Sequence, residues 1–221
     1  MSASDESVLL SSDDGGVRTL TLNRPDRKNA INAQLWIELA DALRAAARDD
    51  LRALVITGAG GAFCSGADLS TPEDIHPRHK LRRLTDVALA LHELTIPTIA
   101  KVTGVAVGAG WNLALGCDFV VATPESRSLG LITWLKPAAE IDEFVADLAR
   151  RLAAGPPVAL AQSKGLLNDG ADATLHEALA NEARAQPGNF ATADSMEAYA
   201  AFAEKREPAF TGRWAVSPRS E

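Results

Sequence analysis

Gly58-Ala-Gly-Gly-Ala-Phe-Cys-Ser-Gly-Ala-Asp-Leu69 is the stretch that decides how the chain is read. It follows Leu54-Val55-Ile56, a short apolar run expected to be a buried strand. Its residues are small, and small residues let a ligand approach the backbone closely. A second stretch of the same kind, Gly104-Val-Ala-Val-Gly-Ala-Gly-Trp-Asn-Leu113, runs on through Ala114 to Leu115-Gly116-Cys117-Asp118. It too joins a strand to a helix. Exposed N–H groups at such a turn, with the helix dipole, favour negative charge. Taken singly, each stretch reads equally well as a tight turn without function. Neither is a dinucleotide fingerprint: Gly108 and Gly110 have the G-x-G spacing, but Leu113 stands where the third glycine belongs. No GxSxG elbow surrounds Ser65, and there is no HExxH or paired-cysteine zinc pattern.

Outward from these loops, Val17 to Leu22 alternates as a strand does, and Asn23-Arg24-Pro25-Asp26 reads as a turn. Trp36, Leu39, Ala40, Leu43 and Ala47 recur at helical spacing within Ala33 to Asp50. Leu81, Leu84, Val87, Ala88, Leu91 and Leu94 mark a second helix. Thr98 to Val107 reads as a strand, Trp111 to Leu115 as the start of a helix, and Phe119 to Ala122 as a strand again. This βαβα alternation implies an α/β fold with parallel strands and crossover helices. The last third is helical in pattern. Ile141, Phe144, Val145, Leu148 and Leu152 form one stripe, and Pro156-Pro157 breaks it. Thr174 with Glu177, and Asp194 with Glu197, have the spacing of capping boxes. Residues 1–16 are polar and expected to be loose. The expected division is a core over residues 1–136 and a helical region over 137–221.

The 221 residues suffice for one sizeable domain, or one domain with a small appendage. The net charge of -7 argues against a general nucleic-acid binder, which needs a basic face for phosphates. No run offers the ~20 apolar residues of a membrane span. The N-terminus has no basic region followed by an apolar one, so no signal peptide is expected. The two cysteines, Cys64 and Cys117, lack CxxC spacing, which fits a reducing cytoplasm rather than a disulfide framework.

The two small-residue loops together resemble the enoyl-CoA hydratase/isomerase (crotonase) family. So do Asn23-Arg-Pro-Asp-Arg-Lys-Asn-Ala-Ile-Asn32, Phe190-Ala-Thr-Ala-Asp-Ser-Met-Glu197, and Ala201-Phe-Ala-Glu-Lys-Arg-Glu-Pro-Ala-Phe210. These motifs follow the family's order and span Val17 to Arg213. The resemblance implies a spiral of ββα units with a C-terminal helical region that trimerises, as a homotrimer or a dimer of trimers. It implies an acyl-CoA substrate and no separate cofactor, since coenzyme A is part of the substrate. It implies an oxyanion hole, two backbone N–H groups that stabilise charge developing on the thioester oxygen, at Ala67 and Ala109. By the same resemblance Lys28 and Ala30 line the CoA adenosine. Ser65, Asp68, Leu69 and Gly108 lie along the pantetheine and thioester, and Arg27, Lys101 and Lys205 are candidate phosphate partners.

The chain departs from the family in two places. The first of the two hydratase glutamates falls at Asn112, and an amide hydrogen-bonds a water but cannot take its proton. After Ser128 the sequence passes directly to Leu129-Gly-Leu-Ile-Thr-Trp-Leu-Lys136, which resembles a segment that normally follows at least one further supersecondary unit, about 30 residues or more. With that unit goes the place of the second acid. Substitutes in sequence are Glu73, Asp74 and Glu125, each read equally as a surface carboxylate. His76, His79, His92 and His176 pair with no nucleophile, which disfavours a serine hydrolase built on Ser65. An acyl-CoA enzyme and a non-catalytic acyl-CoA-binding or subunit-interaction protein both remain open.

Overall fold

The computed structural model of the chain describes residues 7–70, 77–126 and 132–215. Six strands form one sheet in the order of the sequence: β1 (Leu9–Asp14), β2 (Val17–Leu22), β3 (Ala53–Gly58), β4 (Thr98–Val102), β5 (Phe119–Ala122) and β6 (Trp134–Leu135). The first pair is antiparallel and every later pair is parallel. Parallel neighbours need crossovers. Three are helical: α1 (Ala33–Ala46), α2 (Pro77–His92) and α3 (Ala109–Leu115). The helices α4 (Ile141–Ala154), α5 (Pro157–Gly170), α6 (Leu175–Phe190) and α7 (Ala193–Glu204) follow the sheet. The chain forms two compact units, residues 1–150 and 151–221.

The core lies where the apolar patterning puts it. Ala53, Leu54 and Ile56 on β3 are fully buried, as are Ile99 and Ala100 on β4. On α1, Leu35, Trp36, Leu39, Ala40, Leu43 and Ala46 are buried on one face. The helix starts where the Asn32 side chain accepts the Leu35 N–H at 2.9 Å, an N-cap bond that satisfies an amide the helix leaves free. On α2, Val87 and Leu91 face inward. The first unit closes through aromatic contacts. The Trp134 ring stacks on Phe119 at 5.7 Å and meets Phe144 edge-on at 5.5 Å, while the Lys136 ammonium sits 4.3 Å from the Phe144 ring centre. Thus β6 docks directly on β5, and the start of α4 packs beside it.

Several expectations are corrected. Residues 9–14 are a strand, not a loose tail: they form a hairpin with β2 through the two-residue turn Gly15-Gly16. Helix α1 ends at Ala46, short of Asp50. Strand β4 ends at Val102, because the backbone of Val105 to Val107 pairs instead with Phe63 and Cys64, loop with loop. Helix α3 begins two residues before Trp111, at Ala109. The capping box at Thr174 and Glu177 forms, but that at Asp194 does not: Thr192 caps α7, and Asp194 accepts the Thr211 and Gly212 amides at 2.7 and 2.8 Å. Glu73, Asp74, His76 and the junction residues Ser128 and Leu129 lie outside the described residues.

Candidate acyl-thioester site

Three loops meet at one edge of the first unit. The loop leaving β2 turns through Lys28 and Asn29, both in the left-handed region with φ of 48° and 56°. Asn29 is fully buried. Its amide donates to the Ala59 and Ala62 carbonyls at 2.8 and 2.7 Å and accepts the Arg24 N–H at 2.9 Å. This one side chain ties the first loop to the glycine-rich loop after β3. The two are joined again where Ser65 N–H donates to Lys28 O at 2.9 Å and Ser65 Oγ donates to Arg27 O at 3.1 Å. Beyond that, Ile31 and residues 66–68 pair like short parallel strands, through Ile31 N–H to Gly66 O and Asp68 N–H to Ile31 O.

The glycine-rich loop is also zipped to the loop before α3. Phe63 and Cys64 N–H donate to Val105 O at 3.0 and 2.9 Å, and Val107 N–H donates to Cys64 O at 3.1 Å. Two glycines allow this approach. Gly110 lies so close that a Cβ there would fall 2.5 Å from Cys64 O, and Gly66 combines a φ of 93° with a Cβ position 3.0 Å from Val107 O and 3.6 Å from Ala109 N. The far end of the second loop is pinned by Ser126, whose hydroxyl donates to Gly104 O at 2.6 Å. Among the described residues, neither the Ala67 N–H nor the Ala109 N–H donates to any protein group. Two adjoining loops therefore each present a free backbone donor, Ala67 at an exposed position and Ala109 at a half-buried one.

The side chains around these amides are sorted by their partners. Asp68 is committed: Ser70 Oγ and N–H donate to one oxygen at 2.6 and 2.9 Å, and the Arg24 guanidinium to the other at 2.8 Å. The Ser70 donors, then Arg24, hold its carboxyl down at about 2. Asp118 likewise serves the backbone, accepting the Thr98 N–H and hydroxyl at 2.8 and 2.9 Å. Ser65 is a loop fastener and not a nucleophile, for its hydroxyl already donates to a carbonyl. Burial pushes the Cys64 thiol up to about 11, so it is an inert core group. Leu69 is 91% exposed at the rim, with Val107 51% exposed beside it on the second loop. Lys28 is exposed, Ala30 is buried, and Gly108 leads into α3.

Asn112 lies one turn into α3 from Ala109, exposed, with no hydrogen bond to its carboxamide among the described residues. Glu125 sits in a short 3-10 turn. Its own backbone N–H and the Thr123 hydroxyl hold its pKa below the ordinary glutamate value. Lys101 is not free for a phosphate: its ammonium is 2.6 Å from Asp142 on α4. Arg27 is exposed with Asp26 3.5 Å away, and Lys205 is the left-handed C-cap of α7. The residues that sequence reasoning passed over are the fasteners Arg24, Asn29, Gly66, Gly110 and Ser126. The glycines stood within small-residue runs and Arg24 and Asn29 within the Asn23–Asn32 motif; nothing local marked Ser126.

The model of the Enoyl-CoA hydratase/isomerase family matches residues 12–128 and 123–213, almost the whole described chain. The chain belongs to the enoyl-CoA hydratase/isomerase family. This family member is 35% identical over 258 residues to the 1,2-epoxyphenylacetyl-CoA isomerase of Escherichia coli (strain K12), an alignment that takes in 93% of the chain and 98% of the relative. The crystal structure of an enoyl-CoA hydratase from Mycobacterium smegmatis superposes with a TM-score of 0.85 at 28% identity, covering 93% of this chain and 99% of that one. An enoyl-CoA hydratase from Polaromonas sp. JS666 gives 0.83 at 28% identity, covering 92% and 99%. The family fold, a crotonase spiral, is therefore that of this chain. The E. coli alignment also measures a gap. Of its 258 positions, 93% of 221 residues fills about 206, so about 52 positions of the isomerase have no counterpart here. The family match divides into two segments that meet at residues 123–128, where the sequence passes from β5 toward β6.

Proposed function

We propose that this enoyl-CoA hydratase/isomerase-family protein acts in acyl-CoA metabolism by holding an acyl-CoA thioester with its carbonyl oxygen between the Ala67 and Ala109 N–H groups. The observation that carries the reading is that pair of free amides on two interlocked loops. Such donors are already oriented and need no reorganisation when charge develops on the oxygen. Lys28 and Ala30 on the first loop would meet the adenosine, while Ser65, Asp68, Leu69 and Gly108 flank the pantetheine and thioester. Coenzyme A arrives as part of the substrate. Asn112, in place of a carboxylate, favours binding and polarisation over water activation, because an amide has no basic function near neutral pH. The buried thiols of Cys64 and Cys117 fit a cytoplasmic protein. No helix among the described residues is long and apolar enough to cross a membrane.

Calorimetry with butyryl-CoA and with butyrate tests the reading. The CoA thioester is expected to bind measurably and the free acid not, since the nucleotide adds contacts remote from the carbonyl. Equal affinity for the two would remove it. We further propose a homotrimer or a dimer of trimers assembled through the helical unit. Leu175, Leu179, Met196 and Phe202 there are 77%, 57%, 65% and 87% exposed, more apolar surface than a lone unit of this size usually shows to water. Light scattering at micromolar concentration would detect a stable monomer, which would exclude the assembly.

A further inference from the structure

The helical unit holds a cleft that collects hydrogen-bond acceptors and no cation. One face of α5, the turn from α6 into α7 and the returning segment at Phe210 enclose about 180 Å³, all within residues 151–221. A cavity of about 150 Å³ accommodates benzene, so there is room here for about six heavy atoms. The apolar wall includes Val158 and Ala159 of α5, Phe190 at the end of α6, Ala198 of α7, and Phe210. The polar wall is Asn189, Thr192, Asp194 and Ser195.

These polar groups can accept more hydrogen bonds than the protein donates to them. Asp194 is 4% exposed. Its Oδ1 accepts the Thr211 N–H and hydroxyl at 2.7 and 3.3 Å, and its Oδ2 the Gly212 N–H at 2.8 Å. All three donors are neutral, and among the described residues no lysine or arginine pairs with this carboxylate. Oδ2 keeps an unused lone pair. The Asn189 Oδ1 is buried with no donor at all. So is the Oε1 of Gln162, which follows Val158 by one turn on the same face of α5. Thr192 is engaged, donating to Asn189 O at 2.7 Å and accepting the Ser195 N–H at 3.2 Å. The Ser195 hydroxyl has no partner among the described residues.

Buried acceptors without donors, and a buried carboxylate without a cation, both favour a ligand that supplies charge and N–H groups together. A metal ion such as calcium or magnesium takes about six oxygens at close range, which the apolar wall cannot furnish. An alkylammonium has three N–H donors for three acceptors, and phenylalanine rings attract its charge. We propose that this cleft binds a primary alkylammonium group on a short apolar stem, with Asn189, Asp194 and Ser195 accepting its N–H bonds and Phe190 and Phe210 flanking the stem. A free amine and a lysine side chain of another copy share this chemistry. The site draws on none of the residues assigned to the acyl thioester.

Titration of the full chain with n-pentylammonium, 1-pentanol and pentanoate, followed by the amide NMR signals of Ser195, Thr211 and Gly212, tests the proposal. Pentylammonium is expected to give saturable shifts and to bind about tenfold more tightly than the equally sized alcohol, since a hydrogen bond to a charged group contributes about that much. Pentanoate should give none. Asn189→Leu should weaken pentylammonium binding about tenfold. Ala198→Trp, a change at an exposed position of α7 that fills the cleft from one side, should abolish it while leaving the fold intact. Light scattering then separates the two sources. A fall in mass on adding pentylammonium identifies a lysine of another copy as the occupant, and an unchanged mass identifies a free amine. Equal affinity for pentylammonium and pentanol, absence of saturable shifts, or binding that survives Ala198→Trp would overturn the proposal.

Discussion

At the scale of single residues, the site is built by side chains that never need to touch a ligand. Asn29 is the clearest case. It satisfies three backbone groups from the two loops it joins, and its own backbone adopts a left-handed conformation that asparagine tolerates better than most residues. Asn29→Ala would leave the buried Ala62 carbonyl without this partner, costing about 1–3 kcal/mol, and would open the half-buried Ala59 carbonyl and Arg24 N–H to water at smaller cost. The expected loss is about 2–4 kcal/mol in urea unfolding, with acyl-CoA binding weakened in parallel because Ser65 to Asp68 would lose their anchor. Little change in either would mean that the loops are held elsewhere. Asp68 gives a pH signature. Its folded pKa, about 2, lies below the ordinary 3.8. The stability it contributes is therefore complete above about pH 4 and is lost as pH falls toward 2. Unfolding midpoints measured from pH 5 to pH 2 should fall less steeply in Asp68→Asn than in the unaltered protein. Identical slopes would show that the Ser70 and Arg24 contacts do not persist in solution.

At the scale of elements, legibility followed periodicity. Helix α1, strand β5 and the capping box of α6 could be read because their signals are local: apolar spacing, an apolar run, a Thr and Glu three apart. Strand β1 could not, because Ser11, Ser12, Asp13 and Asp14 are exposed and carry no alternation; only Gly15-Gly16 marked the hairpin. Strand β4 was drawn too long because Val105 and Val107 continue the apolar pattern, whereas their backbone pairs with Phe63 and Cys64 in a loop-to-loop ladder. The tie from Asn29 to Ala62 spans 33 residues and has no local trace at all. Likewise the docking of β6 depends on Phe119, Trp134 and Phe144 coming together from three elements. Trp134→Ala should cost about 2–3 kcal/mol, below the range for a fully buried aromatic because this ring is only half-buried. Its effect should be confined to the first unit, read as lost amide protection in β5 and β6 by hydrogen exchange. Unchanged protection there would mean that the strand pair is held by its backbone alone.

At the scale of the whole molecule, the chain has the family's fold and ties two of its own loops together while lacking about 52 positions that its E. coli relative has. The sheet tolerates the shortening because β6 pairs directly with β5 and its aromatic ring fills the contact. Chemistry is another matter. Hydration of a 2-enoyl thioester needs a base to activate water and an acid to protonate the α-carbon, while an oxyanion hole holds the enolate. The Ala67 and Ala109 amides proposed for that hole donate to no protein group among the described residues. The proposed place of the first acid is Asn112, an amide, and among the described residues Asp68, Asp118 and Glu125 are each held by other donors. General acid–base assistance is typically worth about 10²–10⁴-fold in rate. Crotonyl-CoA hydration by the purified protein, followed as loss of the enoyl-thioester absorbance, is therefore expected to be at least about a hundredfold below an ordinary turnover of ~10 s⁻¹. Asn112→Glu alone should recover little of it, because one carboxylate cannot both take a proton from water and deliver one to the α-carbon in the same step. Turnover near 10 s⁻¹ in the unaltered protein would show instead that another carboxylate, from Glu73 or Asp74 in the stretch after the glycine-rich loop, reaches the thioester. A Glu73→Gln, Asp74→Asn pair of variants would then identify which.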